Sequence, residues 1–284
     1  MSDVEALTAL TALTDGDRRR ARELAAGGSS LLARHLTAYL DNEAAGSVYD
    51  QPAAFEAFIG GGGNVGLYAA VEDALAAQYR SVTPARLADI GCGDGRVVRN
   101  AIAVSGHLPD SLTLIEPSPA LLAEAVRDLT PTHAYAGTVQ SFLSEVDDSF
   151  DLIESTFAMH TIPHEERTEV LARLRERTSG LVIVDFDVPA VEHGGPAHLR
   201  FLAETYERGL SEYGPDRDLV AGGFLMPVLV GQLTPGARRV TWEQPAAQWR
   251  SQLEKAGYQD VSVVPLHDYW SSPAFLLTAR SGGA

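Results

Sequence analysis

Leu87-Ala88-Asp89-Ile90-Gly91-Cys92-Gly93-Asp94-Gly95-Arg96 is the stretch on which the fold turns. A short apolar strand runs into a glycine-rich turn, and residues 97–104 continue as a helix. Alternate glycines permit a tight turn and let a ligand approach the backbone closely. A dinucleotide loop of the G-x-G-x-x-G kind needs its third glycine at the sixth position, where Arg96 stands. Glu116 closes the next predicted strand, 21 residues beyond Gly95. An acid there can accept hydrogen bonds from both hydroxyls of a ribose. The two features together carry far more than either alone.

Outward from this segment, strands are predicted at 86–90, 112–116, 133–136, 151–155 and 181–186. Helices fall between them, one opened by Pro117 and Ser118 and one over 164–177. Such alternation implies a parallel sheet covered on both faces. Residues 189–240 interrupt it with a helix over 197–213 and an apolar stretch, 220–233, punctuated by Gly and Pro. A helix over 245–256 and strands at 261–266 and 274–279 follow, and the last two strands read as an antiparallel hairpin. Upstream, Leu7, Leu10 and Leu13, then Leu31, Leu32, Leu36, Tyr39 and Leu40, keep the spacing of amphipathic helices. Ser29 or Ser30 is expected to cap the second of these and Asp15 the one before it. Gly60 to Gly63 breaks the pattern, and Asn64 is expected to cap a helix carrying Leu67, Val71, Leu75 and Tyr79. The expected fold is α/β: a doubly wound, mostly parallel, Rossmann-like sheet of about seven strands with an antiparallel last strand. Residues 1–80 would form a helical cover and 81–284 a cofactor-binding domain, with 189–240 as a lid or substrate insertion. A dimer contact is the alternative reading of that insertion.

The 284 residues are 45% hydrophobic and 21% charged, an ordinary globular composition that excludes disordered and disulfide-stapled classes. Twenty-two basic residues against 38 acidic ones leave a net charge of −16, and Lys255 is the one lysine. A chain this acidic is a poor match for nucleic acid or an anionic membrane surface. Cys92 is the only cysteine, so no intrachain disulfide and no multi-cysteine metal site can form. The acidic start, Met1-Ser2-Asp3-Val4-Glu5, lacks the pattern of a secretory signal, and no stretch approaches the ~18 apolar residues of a membrane span. A cytoplasmic location is expected.

At Asp89-Ile90-Gly91-Cys92-Gly93-Asp94-Gly95 the sequence resembles the first motif of the class I S-adenosylmethionine-dependent methyltransferases. Glu116 with Pro117-Ser118-Pro119 resembles that family's ribose-binding acid. Residues 150–160 resemble its fourth motif and 180–185 its fifth strand. The resemblance implies S-adenosylmethionine as cofactor and S-adenosylhomocysteine as product. It places Gly91 and Gly93 against the methionine part of the cofactor, Asp89 at the loop or the amino group, and Glu116 and Pro117 at the ribose. It places Val139 and Gln140 at the adenine, and Ser155 and Thr156 beside the transfer site. Thr138 stands where an Asp is common. Tyr49-Asp50, before Phe55 and Phe58, resembles the aromatic element that closes over the cofactor.

His160 follows the fourth strand and is the best side chain for accepting a proton from an O–H or N–H nucleophile. Tyr68, His164, His198, Tyr206 and Phe224 are candidate substrate contacts. His193 and His198 are five apart with Gly194-Gly195-Pro196 between them, so no metal is expected. Gly60-Gly61-Gly62-Gly63 lacks the G-K-[ST] ending of a phosphate loop. The function expected is methyl transfer to an N or O atom, less readily C, of a small molecule in specialised metabolism, with a homodimer as a further expectation. The rivals are a non-methylating reaction on the same cofactor, such as cyclisation, an NAD(P)-dependent oxidoreductase, or a binding module.

Overall fold

The computed structural model describes residues 4–42, 52–131 and 133–282. Its helices are α1 (Val4–Thr14), α2 (Arg18–Ala25), α3 (Leu31–Asp41), α4 (Pro52–Ile59), α5 (Gly62–Val82), α6 (Arg96–Ser105), α7 (Pro119–Asp128), α8 (Val139–Glu145), α9 (His164–Arg175), α10 (Pro196–Glu212), α11 (Arg217–Val220), α12 (Met226–Leu233) and α13 (Ala246–Lys255). The strands are β1 (Arg86–Ile90), β2 (Ser111–Glu116), β3 (His133–Ala136), β4 (Phe150–Thr156), β5 (Thr178–Phe186), β6 (Gln259–His267) and β7 (Ala274–Arg280). The chain falls into two compact units. One comprises Met1–Gly66, Ala190–Arg239 and Tyr269–Ser272, and the other comprises Leu67–Pro189, Val240–Asp268 and Pro273–Ala284.

The second unit is built on one seven-stranded sheet in the order β3-β2-β1-β4-β5-β7-β6. β1 to β5 are mutually parallel, and β7 runs antiparallel between β5 and β6. Near-continuous burial of β1, β2 and β4 is what parallel strands covered on both faces require. Ala88, Ile90, Ile115, Ile153, Leu181 and Ile183 form one face and join a core with Phe142, Leu171, Trp249 and Leu253. Alternation sends Leu87, Asp89, Leu114, Glu154 and Val182 to the opposite face. Strand order reverses between β1 and β4, so their carboxyl ends flank the switch point where open α/β sheets bind ligands.

The other unit is helical, with Leu10, Leu32, Leu36, Leu210, Val220 and Leu229 buried. Glu207 accepts hydrogen bonds from the Leu31 and Leu32 N–H groups (3.0 and 2.7 Å), satisfying the start of α3 beside its cap, Ser30. Asp17, not Asp15, caps α2, because the chain makes one more turn at Gly16 before the helix begins. Asn64 is no cap either, since α5 already starts at Gly62. Its buried amide donates to the Phe58 carbonyl (2.8 Å) and the Tyr213 hydroxyl (3.0 Å) and accepts from the Tyr269 hydroxyl (3.0 Å). The stretch 220–233 is helical despite its Gly and Pro. A π-turn at Ala221–Leu225 precedes Pro227, which sits in the first turn of α12. Re-spacing the backbone there accommodates the missing N–H of proline.

Candidate functional site

The glycine loop sits at the carboxyl end of β1. Gly91, Gly93 and Gly95 all take left-handed φ values (+71°, +57° and +73°), which side chains other than glycine rarely adopt. Gly91 N–H donates to the Ile115 carbonyl (2.7 Å), pinning the loop to β2. A Cβ on Gly91 would collide with the Ala158 methyl, and one on Gly95 would press into Ala125 (2.9 Å). A Cβ on Gly93 would meet nothing within 4 Å, so that backbone faces open space.

Glu116 ends β2 with its carboxylate already shaped by backbone donors. Oε2 accepts from Gly93 N–H (3.0 Å) and Oε1 from Ser118 N–H (2.8 Å). Each oxygen keeps a lone pair for a further donor. Pro117 is exposed beside it, and Ser118 caps α7. Behind the loop lie Asp89 (5% exposed) and Glu154 (1% exposed), Cα partners in the β1–β4 pairing. Burial, then the charge of Glu116, pushes Asp89 up to about 7. Burial, then the charge of Asp89, pushes Glu154 well above the ordinary carboxyl range. Burial also raises the Cys92 thiol, so Cys92 is a turn residue and no nucleophile.

The ends of β4 and β5 carry a second constellation. His160 lies in the short 3-10 turn Met159–Thr161, and its Nδ1 is 2.9 Å from Asp185 Oδ1 and 3.1 Å from Oδ2. The carboxylate can only accept, so Nδ1 carries the proton and Nε2 is the basic nitrogen. Burial works to lower the His160 pKa, but the charge and hydrogen bond of Asp185, with the charge of Glu243, outweigh it and raise it. Asp185 is buried and held by Phe186 N–H (2.8 Å). The His160 carbonyl accepts from Trp242 N–H (2.6 Å). Arg167, fully buried and stacked 4.0 Å over Trp249, donates to the carbonyls of Met159 (3.2 Å), Ile162 (3.4 Å) and Trp242 (3.0 Å). One guanidinium thus closes the turn that presents His160. Beside it Phe157 takes φ +52° and stacks on Phe186 (4.6 Å, 7° between planes), with Tyr68 edge-on to Phe157 (6.2 Å). A left-handed backbone on a bulky aromatic is strained, and such strain gathers at functional sites.

The remaining candidates divide. Ser155 spends its hydroxyl on the Ile90 carbonyl (2.9 Å), and Thr156 is half-buried at the end of β4. Val139 packs into the sheet's core, while Gln140 is half-buried, and Thr138 caps their helix, α8. His164 begins α9 with Nε2 3.0 Å from the Trp242 carbonyl oxygen. In the helical unit, His198 Nδ1 accepts from Gly194 N–H (3.1 Å). Tyr206 is buried edge-on to Trp270 and accepts from Gln232, and Phe224 stacks on Phe58 (4.0 Å). For these three the substrate role rests on sequence position. Tyr49 lies outside the described residues. Asp185, Arg167 and Glu154 were not singled out from sequence; a lone acid or arginine in an apolar run signals burial but not its partner. Among the described residues no group of His, Cys, Asp and Glu is placed to hold a metal ion, and no helix is long and apolar enough to cross a membrane.

Residues 87–179 match the model of a family described as a methyltransferase domain. No curated protein sequence matches the chain. Magnesium protoporphyrin IX methyltransferase of Synechocystis PCC 6803, solved with bound S-adenosylhomocysteine, is 14% identical, with 76% of this chain and 84% of that one covered and a TM-score of 0.50. Human N-acetylserotonin methyltransferase is 13% identical over 75% of this chain, with a TM-score of 0.48, and this chain spans only 52% of its length. Mitomycin 7-O-methyltransferase is 19% identical over 93% of this chain and 71% of that one, with a TM-score of 0.49. The matched segment lies on a sheet whose strand order, with the glycine loop at its switch point, is that of a Rossmann-like fold, so over this stretch the chain is similar to a methyltransferase domain.

Proposed function

We propose that the protein is an S-adenosylmethionine-dependent methyltransferase acting on an N or O atom of a small molecule. The observation that carries this is the Glu116 carboxylate, tied to Gly93 N–H and Ser118 N–H beneath an open backbone face. That arrangement fits a ribose on Glu116, with Pro117 alongside, and a methionine moiety over Gly91 and Gly93. Val139 and Gln140 are proposed to flank the adenine, and Ser155 and Thr156 the transfer site. Asp89, short of a cation, fits the cofactor's ammonium group. When bound, the cofactor supplies an electrophilic methyl carbon on a sulfonium.

The chain's own work is then to align the acceptor, exclude water and take a proton. His160 Nε2 accepts the proton of an O–H or N–H acceptor, and Asp185 holds the ring and stabilises the imidazolium. The stacked rings of Phe157 and Phe186, with Tyr68 edge-on to Phe157, supply an apolar wall beside that base. His164 is proposed as a further substrate contact. The net charge of −16 favours a neutral or cationic acceptor over a polyanion. The small-molecule acceptors in the names of the mitomycin and N-acetylserotonin enzymes agree with this reading. Label transfer from methyl-labelled cofactor into a panel of small phenols and amines tests it. Labelled product that disappears in His160→Ala supports the reading. Bound cofactor with no labelled product across the panel would favour a non-methylating reaction.

A further inference from the structure

Asp89 and Glu154 face each other across the point where the strand order reverses. As Cα partners on adjacent strands, ~4.8 Å apart, they project from the same sheet face. Both are almost wholly buried, and Glu116 (8% exposed) lies at the next strand end. Tyr79 of α5 is 0% exposed, and burial, then the charges of Glu154 and Asp89, push its hydroxyl up. Its hydroxyl and Glu154 Oε2 are buried atoms that find no hydrogen-bond partner beyond each other. The charges acting on this cluster are all acidic: Glu116 on Asp89, Asp89 on Glu154, and Glu154 and Asp89 on Tyr79, while the Tyr79 hydroxyl works the other way on Glu154 and does not offset its burial. Cys92 adds a thiol raised by the same acids. Carboxyls so buried and so close, facing no cation, cannot all ionise.

We propose that Asp89 and Glu154 form a proton-linked receptor for a ligand's ammonium group: Asp89 releases its proton to solvent as the ammonium docks, while Glu154 stays a neutral carboxyl that positions Asp89. The inference rests on the cofactor reading above and adds a proton to it. The step balances: a carboxylic acid and an ammonium become a carboxylate–ammonium pair and one proton in the buffer. Glu154 is the harder of the two to ionise, being more deeply buried and beside Asp89, so it keeps its proton throughout. Asp89, raised to about 7, is part-protonated at neutral pH and poised to respond.

Calorimetry of the full chain with S-adenosylhomocysteine at pH 6.5 tests this, run in buffers of different ionisation enthalpy. At that pH the ligand's amino group is already charged, so it contributes no proton of its own. The dependence of the binding enthalpy on the buffer gives the protons released. With Asp89 near 7, between about half and one proton is expected. Affinity should rise up to about tenfold per pH unit below 7 and level off above it. Asp89→Asn should bind more weakly and release none. Glu154→Gln should keep the release, because Glu154 is neutral in both states. Binding by the wild type without proton release, or release that persists in Asp89→Asn, would overturn the inference alone. Loss of release in Glu154→Gln with binding intact would overturn the assignment of the proton to Asp89. No binding by the wild type would sink the cofactor reading and this inference with it.

Discussion

Asp185 accepts from His160 Nδ1 with both carboxylate oxygens, at 2.9 and 3.1 Å, and is itself tied to its own strand by Phe186 N–H. The acid is buried and the histidine is mostly so, with 14% of its side chain exposed. The pair therefore fixes one tautomer and aims Nε2 away from the acid.

His160→Ala is expected to lower kcat by about 10²–10⁴-fold with little change in cofactor affinity, the usual range for loss of a general base. Turnover near wild type would remove His160 from the chemistry.

The pH profile separates the two members of the pair. Only neutral His160 accepts a proton, and its raised pKa puts the acid limb of kcat above the ordinary histidine value. Asp185→Asn should move that limb to lower pH while lowering kcat. For stability the sign is opposite in pH. The pair's contribution is full below the histidine's unfolded value and fades as pH rises through its raised folded value. Urea unfolding of Asp185→Asn should show a larger deficit at pH 6 than at pH 9, and a deficit independent of pH would contradict this.

Arg167 lowers the His160 pKa by its charge and closes the turn around it. Arg167→Met should cost at least about 2 kcal/mol in unfolding free energy, since several hydrogen bonds to a charged donor vanish together. Any surviving activity should have its acid limb shifted upward. An unshifted limb would leave Arg167 a purely structural residue.

Phe157 combines a ring stack with a left-handed backbone. Phe157→Ala loses the stack and keeps the strain, whereas Phe157→Gly loses the stack and relieves it. The glycine variant should be more stable than the alanine variant by about 1 kcal/mol, read from denaturant midpoints. Equal midpoints would show the backbone to be unstrained.

Buried acids with raised pKa values oppose folding as pH rises. Asp89 and Glu154 ionise in the unfolded chain above about pH 4 but resist ionising in the fold. Glu154→Gln should therefore raise Tm relative to wild type at pH 8 and leave it unchanged near pH 4. A variant no more stable at pH 8 would contradict the burial of an unpaired acid there.

The sheet was readable because parallel strands are apolar runs of fixed length and the glycine loop marks where the first one ends. Glu116 was readable as the acid that closes β2, because it ends an apolar run of strand length. Asp185 and Glu154 were not, because pairing across strands depends on register: Glu154 meets Asp89 only through the β1–β4 alignment. Arg167 was hidden for a related reason, since its partners include Trp242 and Gln252, far along the chain. Asp17 rather than Asp15 caps α2 because Gly16 takes a positive φ and delays the helix by two residues. The helix through Pro227 was hidden because the π-turn that accommodates it leaves no mark in the residue pattern.

The central claim is that Glu116 holds the ribose of S-adenosylmethionine over the glycine loop. Calorimetric titration of wild type and Glu116→Ala with S-adenosylhomocysteine tests it most directly. Wild-type binding weakened at least about tenfold in the variant, ~1.4 kcal/mol, is the expected result. Equal affinity in the two proteins would contradict it.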